Sequence, residues 1–295
     1  MTSVESSPRL PRPGRTVVMG ILNVTPDSFS DGGLWGDPEA AIAQGLRLLA
    51  DGADIIDVGG ESTRPGAERA SAELERQRVL PVIAGLAEAG AIVSVDTMRA
   101  SVAAAALDHG ATIINDVSGG LADPEIAAVA VESGAPFVAM HWRAHSARMQ
   151  DLAIYDAPGG VVAAVRAELE ERVDALLAAG LEASQIVLDP GLGFAKTPTH
   201  NWALLHSLES IAGLGFPLLV GASRKAFLGA LLAEPDGTPR PVSEREYAGV
   251  ALTLLLARAG VWGVRVHDVG ASRDALAVLA AYDQGVAATG EEQHG

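Results

Sequence analysis

The 295-residue sequence contains no cysteine. This absence excludes a disulfide framework, thiolate catalysis and a zinc–thiolate site. Positive charge is also scarce, because 21 lysines and arginines stand against 37 aspartates and glutamates, a formal net charge of −16. This excess of negative charge argues against a protein that binds nucleic acids or anionic membranes in general. A local group of cations could still bind a phosphorylated substrate.

Long uninterrupted apolar runs are missing as well. A membrane-spanning helix needs roughly 20 apolar residues, and the most apolar long segment, Tyr247–Val266, is interrupted by Arg258 and Arg265. The first fifteen residues carry proline and charge but no apolar stretch typical of a secretory signal. We therefore expect a cytoplasmic protein that contacts neither membrane nor nucleic acid.

Aliphatic residues dominate what the sequence does contain. Hydrophobic residues make up 48% of the chain and aromatic residues only 4%, a composition typical of globular proteins with a buried core. Short apolar runs alternate with longer segments of helical periodicity. The predicted strands are Val17–Leu22, Asp54–Val58, Ile92–Asp96, Thr112–Asn115, Phe137–His141, Ile186–Asp189, Leu218–Gly221 and Gly263–His267. The predicted helices are Glu39–Ala50, Ala72–Glu88, Ser101–His109, Pro124–Ser133, Gly160–Ala179, His200–Ala212, Glu244–Arg258 and Ser272–Ala281.

The alternation predicts an α/β fold with a single domain, a TIM (β/α)8 barrel, because eight strand–helix units build a parallel sheet covered by helices. An open, doubly wound sheet is the alternative, since pattern alone often miscounts elements. We expect the barrel to span residues 16–284, with flexible tails at 1–15 and 285–295. The proline-rich stretch Leu231–Val242 is predicted to be an inserted loop.

Polar residues follow every predicted strand. In a barrel of this kind, the carboxyl ends of the strands and the loops after them form the active-site face. The residues at these ends are Asn23, the GGESTRPG stretch (59–66), Asp96, Asn115, His141, Asp189, Ser223, Arg224, Lys225, Arg265 and His267. Their convergence on one rim predicts a functional site.

The segment Met19–Gly33 (MGILNVTPDSFSDGG) is the one around which this rim is organised. An apolar strand ends here in a loop that is rich in asparagine, threonine, aspartate and serine oxygens. Such oxygens suit a hard cation such as Mg²⁺ and the phosphates that accompany it. An ordinary polar loop of turn-forming residues is the alternative.

The other rim residues suit a planar heterocycle. Asp96, Asn115 and Asp189 offer acceptors for the edge of a ring with several N–H donors, such as an aminopyrimidinone. Lys225 can donate to a ring carbonyl or nitrogen. Phe194 and the guanidinium group of Arg265 could sandwich the ring.

A diphosphate could bind at the same rim, beside Mg²⁺, through Asn23, Arg265 and His267. No side chain there is a convincing covalent nucleophile, because Ser62 and Ser223 have no base adjacent in the sequence. We therefore expect a site that binds and polarises its substrates rather than attacking them.

These assignments have structural alternatives. Asp96 and Asp189 could cap the helices that follow them. Asn115 could merely satisfy backbone groups, and Lys225 could be a solvated residue at a helix start. For His141 we favour a structural role over catalysis, since isolated histidines often simply pack.

Seven motifs, in order and spanning nearly the whole chain, resemble those of the dihydropteroate synthase family: NVTPDSFSDGG, DIIDVGGESTRPG, SVDTMR, INDVSGG, LDPGLGFAK, GASRKAFLG and VRVHDV. The MHWR and HNWALL segments are similar to actinobacterial members. The resemblance implies a TIM barrel that condenses 6-hydroxymethyl-7,8-dihydropterin diphosphate with 4-aminobenzoate to 7,8-dihydropteroate and pyrophosphate, in folate biosynthesis. It further implies an SN1-like route, Mg²⁺ as cofactor, sulfonamide inhibitors and a homodimer.

The resemblance also implies roles for individual residues. Those for the pterin are Asp96, Asn115, Asp189, Lys225 and Arg265. Those for the diphosphate are Asn23, Arg265 and His267, with Asn23 also binding the metal. Those around the aminobenzoate are Thr63, Arg64, Pro65, Phe194, Ser223 and Lys225. The first loop contributes Thr25, Asp27, Ser28 and Phe29, and it closes over the site together with the second.

Two other functions are compatible with a pterin-binding barrel. A methyltransferase that passes a methyl group from methyltetrahydrofolate to a corrinoid protein would keep the pterin-facing residues, but it has no use for the NVTPDSFSDGG loop. A paralogue that binds pterins without synthesis would show damage in that loop, in GGESTRPG or in the SRK stretch. All three are intact here, which favours the synthase.

Overall fold

A computed structural model describes residues 10–25, 37–61, 70–145 and 149–291, with side chains described up to residue 285. Its strands are β1 (Val17–Asn23), β2 (Ile55–Gly59), β3 (Val93–Asp96), β4 (Ile113–Asp116), β5 (Phe137–Met140), β6 (Ile186–Asp189), β7 (Leu219–Val220) and β8 (Gly263–Val266). All pair in parallel, in the order β6-β5-β4-β3-β2-β1-β8-β7. The sheet closes where Leu188 bridges Leu218 and donates its N–H to the Pro217 carbonyl at 2.9 Å. The predicted TIM barrel is confirmed.

Helices cover the outside of the barrel. In the described part of the chain they are α1 (Pro38–Ala50), α2 (Ala72–Glu88), α3 (Ala100–Asp108), α4 (Glu125–Ser133), α5 (Gly160–Ala178), α6 (Pro198–His206), α7 (Leu208–Ala212), α8 (Ala226–Leu231), α9 (Glu246–Arg258) and α10 (Val269–Glu291). Apolar side chains between the strands and these helices form the main core.

Two predicted helices differ from the structure by more than a shift of one or two residues at an end, and α8 has no counterpart among the predicted helices. The predicted helix His200–Ala212 is two helices separated at Ser207, and the first begins earlier, at Pro198. Thr197 caps it, because its hydroxyl accepts from the His200 N–H and Pro198 occupies the first turn, a start signal that the periodicity alone missed. The last helix runs to Glu291, beyond its predicted end at Ala281 and into the predicted tail.

The interior of the barrel has an apolar layer beneath a polar one. Inward-facing positions alternate along each strand, and the lower layer consists of Val17, Met19, Ile55, Ile113, Val138, Val187 and Leu219. Two residues further along their strands stand Asp57, Asn115 and Asp189. The alternation that buries the lower layer therefore also turns these polar side chains towards the carboxyl end of the barrel.

The segment before β1 lies against the opposite end of the barrel. Leu10 packs on the lower apolar layer, and the Trp262 indole N–H donates to the Pro11 carbonyl at 3.1 Å. Arg15 forms two hydrogen bonds with Asp54, at 2.6 and 2.8 Å, and Asp54 also accepts from the Val18 N–H. Residues 10–15 of the predicted 1–15 tail are thus attached to the barrel.

Searching the described residues for a helix both long and apolar enough to cross a membrane gives no candidate.

Candidate active site

Arg265 joins three strands at the carboxyl end of the barrel. Its Nε donates to Asp57 Oδ2 at 2.6 Å, and a terminal nitrogen donates to Asp96 Oδ2 at 2.8 Å. The amide nitrogen of Asn115 donates to the same Asp57 oxygen at 3.0 Å. β8, β2, β3 and β4 thereby supply one connected polar cluster, which we call the Arg265 cluster: Asp57, Asp96, Asn115 and Arg265.

Asp57 is the residue of this cluster that sequence reasoning missed. The predicted rim consists of polar groups near strand ends, whereas Asp57 lies inside β2 and is fully buried. The signal was available, since Asp57 follows Ile55 by two residues and so faces inward with it. Among the described residues its second oxygen, Oδ1, has no hydrogen-bond partner. A buried carboxylate oxygen of this kind is an acceptor that a ligand N–H can satisfy.

Burial raises the pKa of Asp96. The positive charge of Arg265 opposes this shift, while the negative charge of Asp57 adds to it. Gly59 allows the close approach, because a Cβ there would lie 3.4 Å from both the Cβ and Oδ2 of Asp96. The cluster is therefore a set of acidic groups held in place around a single guanidinium group.

Asp189 and Lys225 form a second group beside the Arg265 cluster. Burial raises the pKa of Asp189, although Lys225 and the Gly191 N–H, at 2.7 Å from Oδ1, favour its ionised form. Burial lowers the pKa of Lys225 to about 8, and the Asp189 charge opposes that shift. Lys225 donates to the Leu192 carbonyl, and its Nζ lies 4.7 Å from the centre of the Phe194 ring.

An apolar wall stands next to these polar groups. Phe194 packs against the buried side chains of Met98, Val117 and Met140, which come from three neighbouring strand ends. Acceptors, donors and an apolar wall at one opening are the features of a pocket for a planar, polar-edged ligand.

The structure brings Ser223 and His267 together, although no base is adjacent to Ser223 in the sequence. Ser223 Oγ lies 3.0 Å from His267 Nδ1 and also accepts the His267 N–H at 3.2 Å. The two residues stand 44 positions apart, so adjacency in the sequence could not reveal the pair. The neighbouring Arg224 has a positive φ of 60°, and its side chain and carbonyl are held by Glu246 and Arg245.

Arg99 fixes both ends of the segment 62–69, which lies outside the described residues. It donates to Glu61 at 2.6 Å before that segment and to the Ala70 carbonyl at 2.6 Å after it. It also pairs with the buried Glu75, which accepts from the Thr97 hydroxyl. Glu61 and Ala70, the described residues on either side of that segment, are thereby connected to the start of the helix that follows β3.

The remaining predicted site residues fall into two sets. Asn23 ends β1 beside Gly59 of β2, and Thr25 follows it at the same rim. The other residues of the two loops lie outside the described residues; they are Asp27, Ser28 and Phe29 of the first loop and Thr63, Arg64 and Pro65 of the second. Their assignments stay predictions.

The alternative role of Asp96 and Asp189, as caps of the helices that follow them, is wrong. The helix after Asp96 has Arg99 at its N-cap, and the helix after Asp189 is capped by Thr197. Asn115 bonds to a side chain rather than to the backbone. Lys225 does stand at a helix start, but it is partly buried and turned towards the Leu192 carbonyl.

His141 has the structural role that we favoured. It is buried, its Nε2 lies 2.9 Å from Glu168 Oε2, and its Nδ1 lies 2.8 Å from Lys196 Nζ. Burial and the nearby Lys196 lower the pKa of His141 to about 4, so the imidazole is neutral at pH 7. The ring then donates from Nε2 to Glu168 and accepts at Nδ1 from Lys196.

For a metal, the described residues hold no group of three histidines, aspartates or glutamates that could form a cage. The Asn23 side-chain oxygen is a hard donor at the rim, of the kind that Mg²⁺ accepts when phosphates and water complete its shell. A single asparagine therefore fits a metal that arrives with a phosphorylated ligand better than a permanently bound one.

Comparisons with known proteins give the class. The sequence pattern of the family described as pterin binding enzyme matches residues 19–267. Dihydropteroate synthase from Mycobacterium leprae is 54% identical over 267 residues, which cover 90% of this chain and 93% of that protein.

Two solved structures support the same conclusion. The dihydropteroate synthase of Xanthomonas albilineans with 4-aminobenzoic acid is 42% identical, with a TM-score of 0.84, over 94% of this chain and 99% of that chain. The Yersinia pestis enzyme in a sulfonamide drug complex is 37% identical, with a TM-score of 0.82, over 92% and 95% of the two chains.

Fold, rim and family pattern together define a pterin-binding barrel enzyme. At this level of identity and coverage the assignment becomes narrower. The chain belongs to the dihydropteroate synthase family.

The pair Asp189–Lys225 predicts a measurable titration. The sequence contains two lysines, Lys196 and Lys225, so NMR of lysine-labelled protein follows each amine directly. We expect Lys225 to titrate near pH 8, and we expect Asp189→Asn to lower that pKa further, because the ammonium form loses its carboxylate neighbour. A Lys225 pKa near 10.5 in both proteins would contradict this placement.

Proposed function

We propose that the chain is a dihydropteroate synthase that condenses 6-hydroxymethyl-7,8-dihydropterin diphosphate with 4-aminobenzoate. The products are 7,8-dihydropteroate and pyrophosphate, in folate biosynthesis. Family membership supports the transferase activity. The observation that carries the residue assignments is the Arg265 cluster with Asp189 and Lys225, which offers acceptors and donors around one opening.

The pterin ring is the ligand that this opening suits. Its amino group and ring N–H groups would donate to Asp57, Asp96 and Asp189, and Asn115 would add a carbonyl acceptor. Lys225 would donate to the ring carbonyl or a ring nitrogen. The unpartnered Asp57 Oδ1 supports this orientation, because it is a buried acceptor that needs a donor.

The diphosphate would lie towards Asn23 and His267, with Arg265 between it and the pterin. Arg265 is already paired with two carboxylates. It can therefore supply only part of the positive charge that the diphosphate requires. Bound at Asn23, Mg²⁺ would supply further positive charge to the leaving oxygens. Magnesium therefore remains a proposal based on the Asn23 oxygen.

The reaction would be SN1-like. The bond between the pterin methylene carbon and the diphosphate oxygen breaks first, and the diphosphate leaves with the electron pair. The carboxylates of Asp57, Asp96 and Asp189 stabilise the methylene cation that remains. The amine nitrogen of 4-aminobenzoate then forms the new C–N bond and releases a proton to solvent.

The aminobenzoate would bind where Phe194, Ser223 and Lys225 meet the second loop. Sulfonamides would compete there, as the sulfonamide complex of the Yersinia pestis relative suggests. The assignments of Thr63, Arg64 and Pro65 follow from the resemblance alone. The expected cytoplasmic location also stays a prediction.

The decisive experiment is pyrophosphate release by the purified protein with the pterin diphosphate, Mg²⁺ and 4-aminobenzoate, each omitted in turn. Synthesis requires release that depends on both organic substrates, with dihydropteroate as the product. Pterin binding without turnover would favour the non-synthesising paralogue. Methyl transfer from methyltetrahydrofolate to a corrinoid protein would favour the methyltransferase.

Lys225 and Asp189 should affect different quantities. Lys225→Ala should reduce kcat/KM by roughly 100-fold or more, because it removes a preorganised donor. Asp189→Asn should weaken pterin binding by roughly tenfold to 100-fold, the effect of losing a charged acceptor, while the melting temperature stays near that of the unmodified protein. Calorimetric titration with the pterin and steady-state kinetics measure both. Unchanged pterin affinity in Asp189→Asn would mean that the carboxylate only holds the Gly191 turn.

The Ser223–His267 pair permits a direct test of the non-covalent route. If the serine attacked the substrate, Ser223→Ala would remove essentially all activity. We expect instead a rise in KM for 4-aminobenzoate, whose proposed site includes Ser223, with kcat reduced by less than about tenfold, the effect of one lost hydrogen bond. Loss of turnover together with a covalent pterin adduct on the unmodified protein, seen by mass spectrometry, would overturn the SN1-like proposal.

We also propose a homodimer formed through α9 and α10. Leu255 of α9 is 60% exposed, and Val278 and Tyr282 of α10 are 63% and 59% exposed. The guanidinium group of Arg258 on α9 lies 6.0 Å from the centre of the Tyr282 ring on α10. This contact connects the exposed side chains of the two helices. Exposed apolar surface of this extent is typical of an interface.

Sedimentation velocity tests the homodimer. The unmodified chain should sediment as a dimer, and the double variant Leu255→Glu, Val278→Glu should sediment as a monomer, because charges are poorly tolerated inside an apolar interface. Leu177→Glu on α5 is a matched control at another exposed leucine and should leave the dimer intact. A monomeric unmodified protein would rule the proposal out.

A further inference from the structure

The loop after β6, residues 190–197, is held by its backbone in an unusual way. Four consecutive carbonyls, those of residues 192 to 195, each accept a hydrogen bond from a different side chain. The donors are Lys225 to Leu192, Gln150 to Gly193 at 3.3 Å, Lys196 to Phe194 at 2.9 Å and Tyr155 to Ala195 at 3.0 Å. Side chains that satisfy every carbonyl in turn fix the path of a loop that has no regular structure.

The conformation of the loop requires this support. Ala195 has a positive φ of 49°, a left-handed conformation that is unfavourable for an alanine. Gly191 lies close to the backbone just after β5, since a Cβ at Gly191 would lie 2.3 Å from the His141 carbonyl oxygen. The carbonyls of Phe194 and Ala195 precede and follow the Ala195 Cα, and the hydrogen bonds that they accept from Lys196 and Tyr155 hold this strained residue in place.

Lys196 is the least expected donor of the four. It is 3% exposed, and the catalytic scheme above gives it no role. Its Nζ lies between the Phe194 carbonyl and His141 Nδ1, at 2.9 and 2.8 Å. His141 is fixed in turn by Glu168, which also pairs with Arg143. A buried lysine needs hydrogen-bond partners that are fixed in place. For Lys196 they form a connected series, His141, Glu168 and Arg143.

Both lysines of the sequence therefore meet at one loop. Lys225 donates a hydrogen bond to the Leu192 carbonyl, and Lys196 donates one to the Phe194 carbonyl. The Lys225 amine also lies over the Phe194 ring, 4.7 Å from its centre. The orientation of the ring depends on where its own carbonyl is held.

We propose that Lys196, oriented by His141, is a positioning residue that fixes the Phe194 carbonyl and so keeps the Phe194 ring beside the Lys225 amine at the opening of the barrel. The effect on catalysis rests on the proposed synthase function; the effect on geometry does not. Lys196 acts through Phe194 and touches neither substrate.

Burial and the positive charge of Lys225 lower the pKa of Lys196 well below its usual value. A neutral amine can still donate to both the Phe194 carbonyl and His141 Nδ1, since it carries two N–H groups. The positioning role therefore does not depend on the charge of Lys196.

The test is Lys196→Met, which keeps the length of the side chain and removes its donors. In lysine-labelled protein the variant retains one lysine signal, that of Lys225. We expect the ring-current shift of its ε-methylene group to diminish, because Phe194 moves away. We also expect KM for 4-aminobenzoate to rise about tenfold, the effect of about one lost hydrogen bond, with kcat changed less than about threefold.

His141 supplies a second pair of variants in case Lys196→Met does not fold. Asparagine places its Oδ1 near the position of the imidazole Nδ1 and can accept from Lys196, whereas phenylalanine cannot. His141→Asn should therefore keep the Lys225 shift and the KM for 4-aminobenzoate near their normal values, and His141→Phe should change both. Arg166→Met, which removes an exposed cation of an Arg166–Glu170 pair, is the control and should change neither.

The outcomes separate the two levels of the proposal. Lys196→Met and His141→Phe could lower the melting temperature while the Lys225 shift and the KM for 4-aminobenzoate stay unchanged in both variants. That result would show that the network only stabilises the fold, and it would overturn the proposal. An unmodified protein without synthase activity would refute the proposed function, and the Lys225 shift would still decide whether Lys196 positions Phe194.

Discussion

The ion pairs of Arg265 are the interaction on which the site depends. Asp57 and Asp96 are inward-facing carboxylates on adjacent strands, and without a shared cation their repulsion and desolvation would drive one of them to protonate. Arg265 reaches both, through its Nε to Asp57 and through a terminal nitrogen to Asp96. Removing one member of such a buried network leaves the others uncompensated, so the four residues of the Arg265 cluster behave as one unit.

Much of the fold followed from periodicity. Eight apolar runs separated by helical segments predicted the barrel, and the strand ends predicted its functional rim. Element boundaries were less predictable where a cap decides them, as at Thr197, or where a helix continues on an exposed surface, as α10 does to Glu291. Residues 10–15 contact the barrel through Pro11 and Arg15, a tertiary effect that leaves no periodic signal.

The candidate site was predictable as a set of strand ends but not as a network. Asp96, Asn115, Asp189, Lys225 and Arg265 were found because they stand at or within a few residues of the carboxyl ends of the predicted strands. Asp57 was missed because it lies within one, although its spacing from Ile55 was informative. The Ser223–His267 and Lys196–His141 contacts join residues 44 and 55 positions apart. Such pairs depend on the pairing of β7 with β8 and of β5 with β6, which no local pattern encodes.

In the proposed reaction, the charge balance of the rim would favour departure of the diphosphate before the amine arrives. Three carboxylates, Asp57, Asp96 and Asp189, stand against the cations Arg265 and Lys225, so the pterin side carries excess negative charge when all are ionised. That excess suits a pterin cation and disfavours a bound diphosphate. A cation at Asn23 would offset the second effect without removing the first, because it belongs to the leaving group's side. The proposed metal and the proposed order of bond changes are therefore linked through one electrostatic asymmetry.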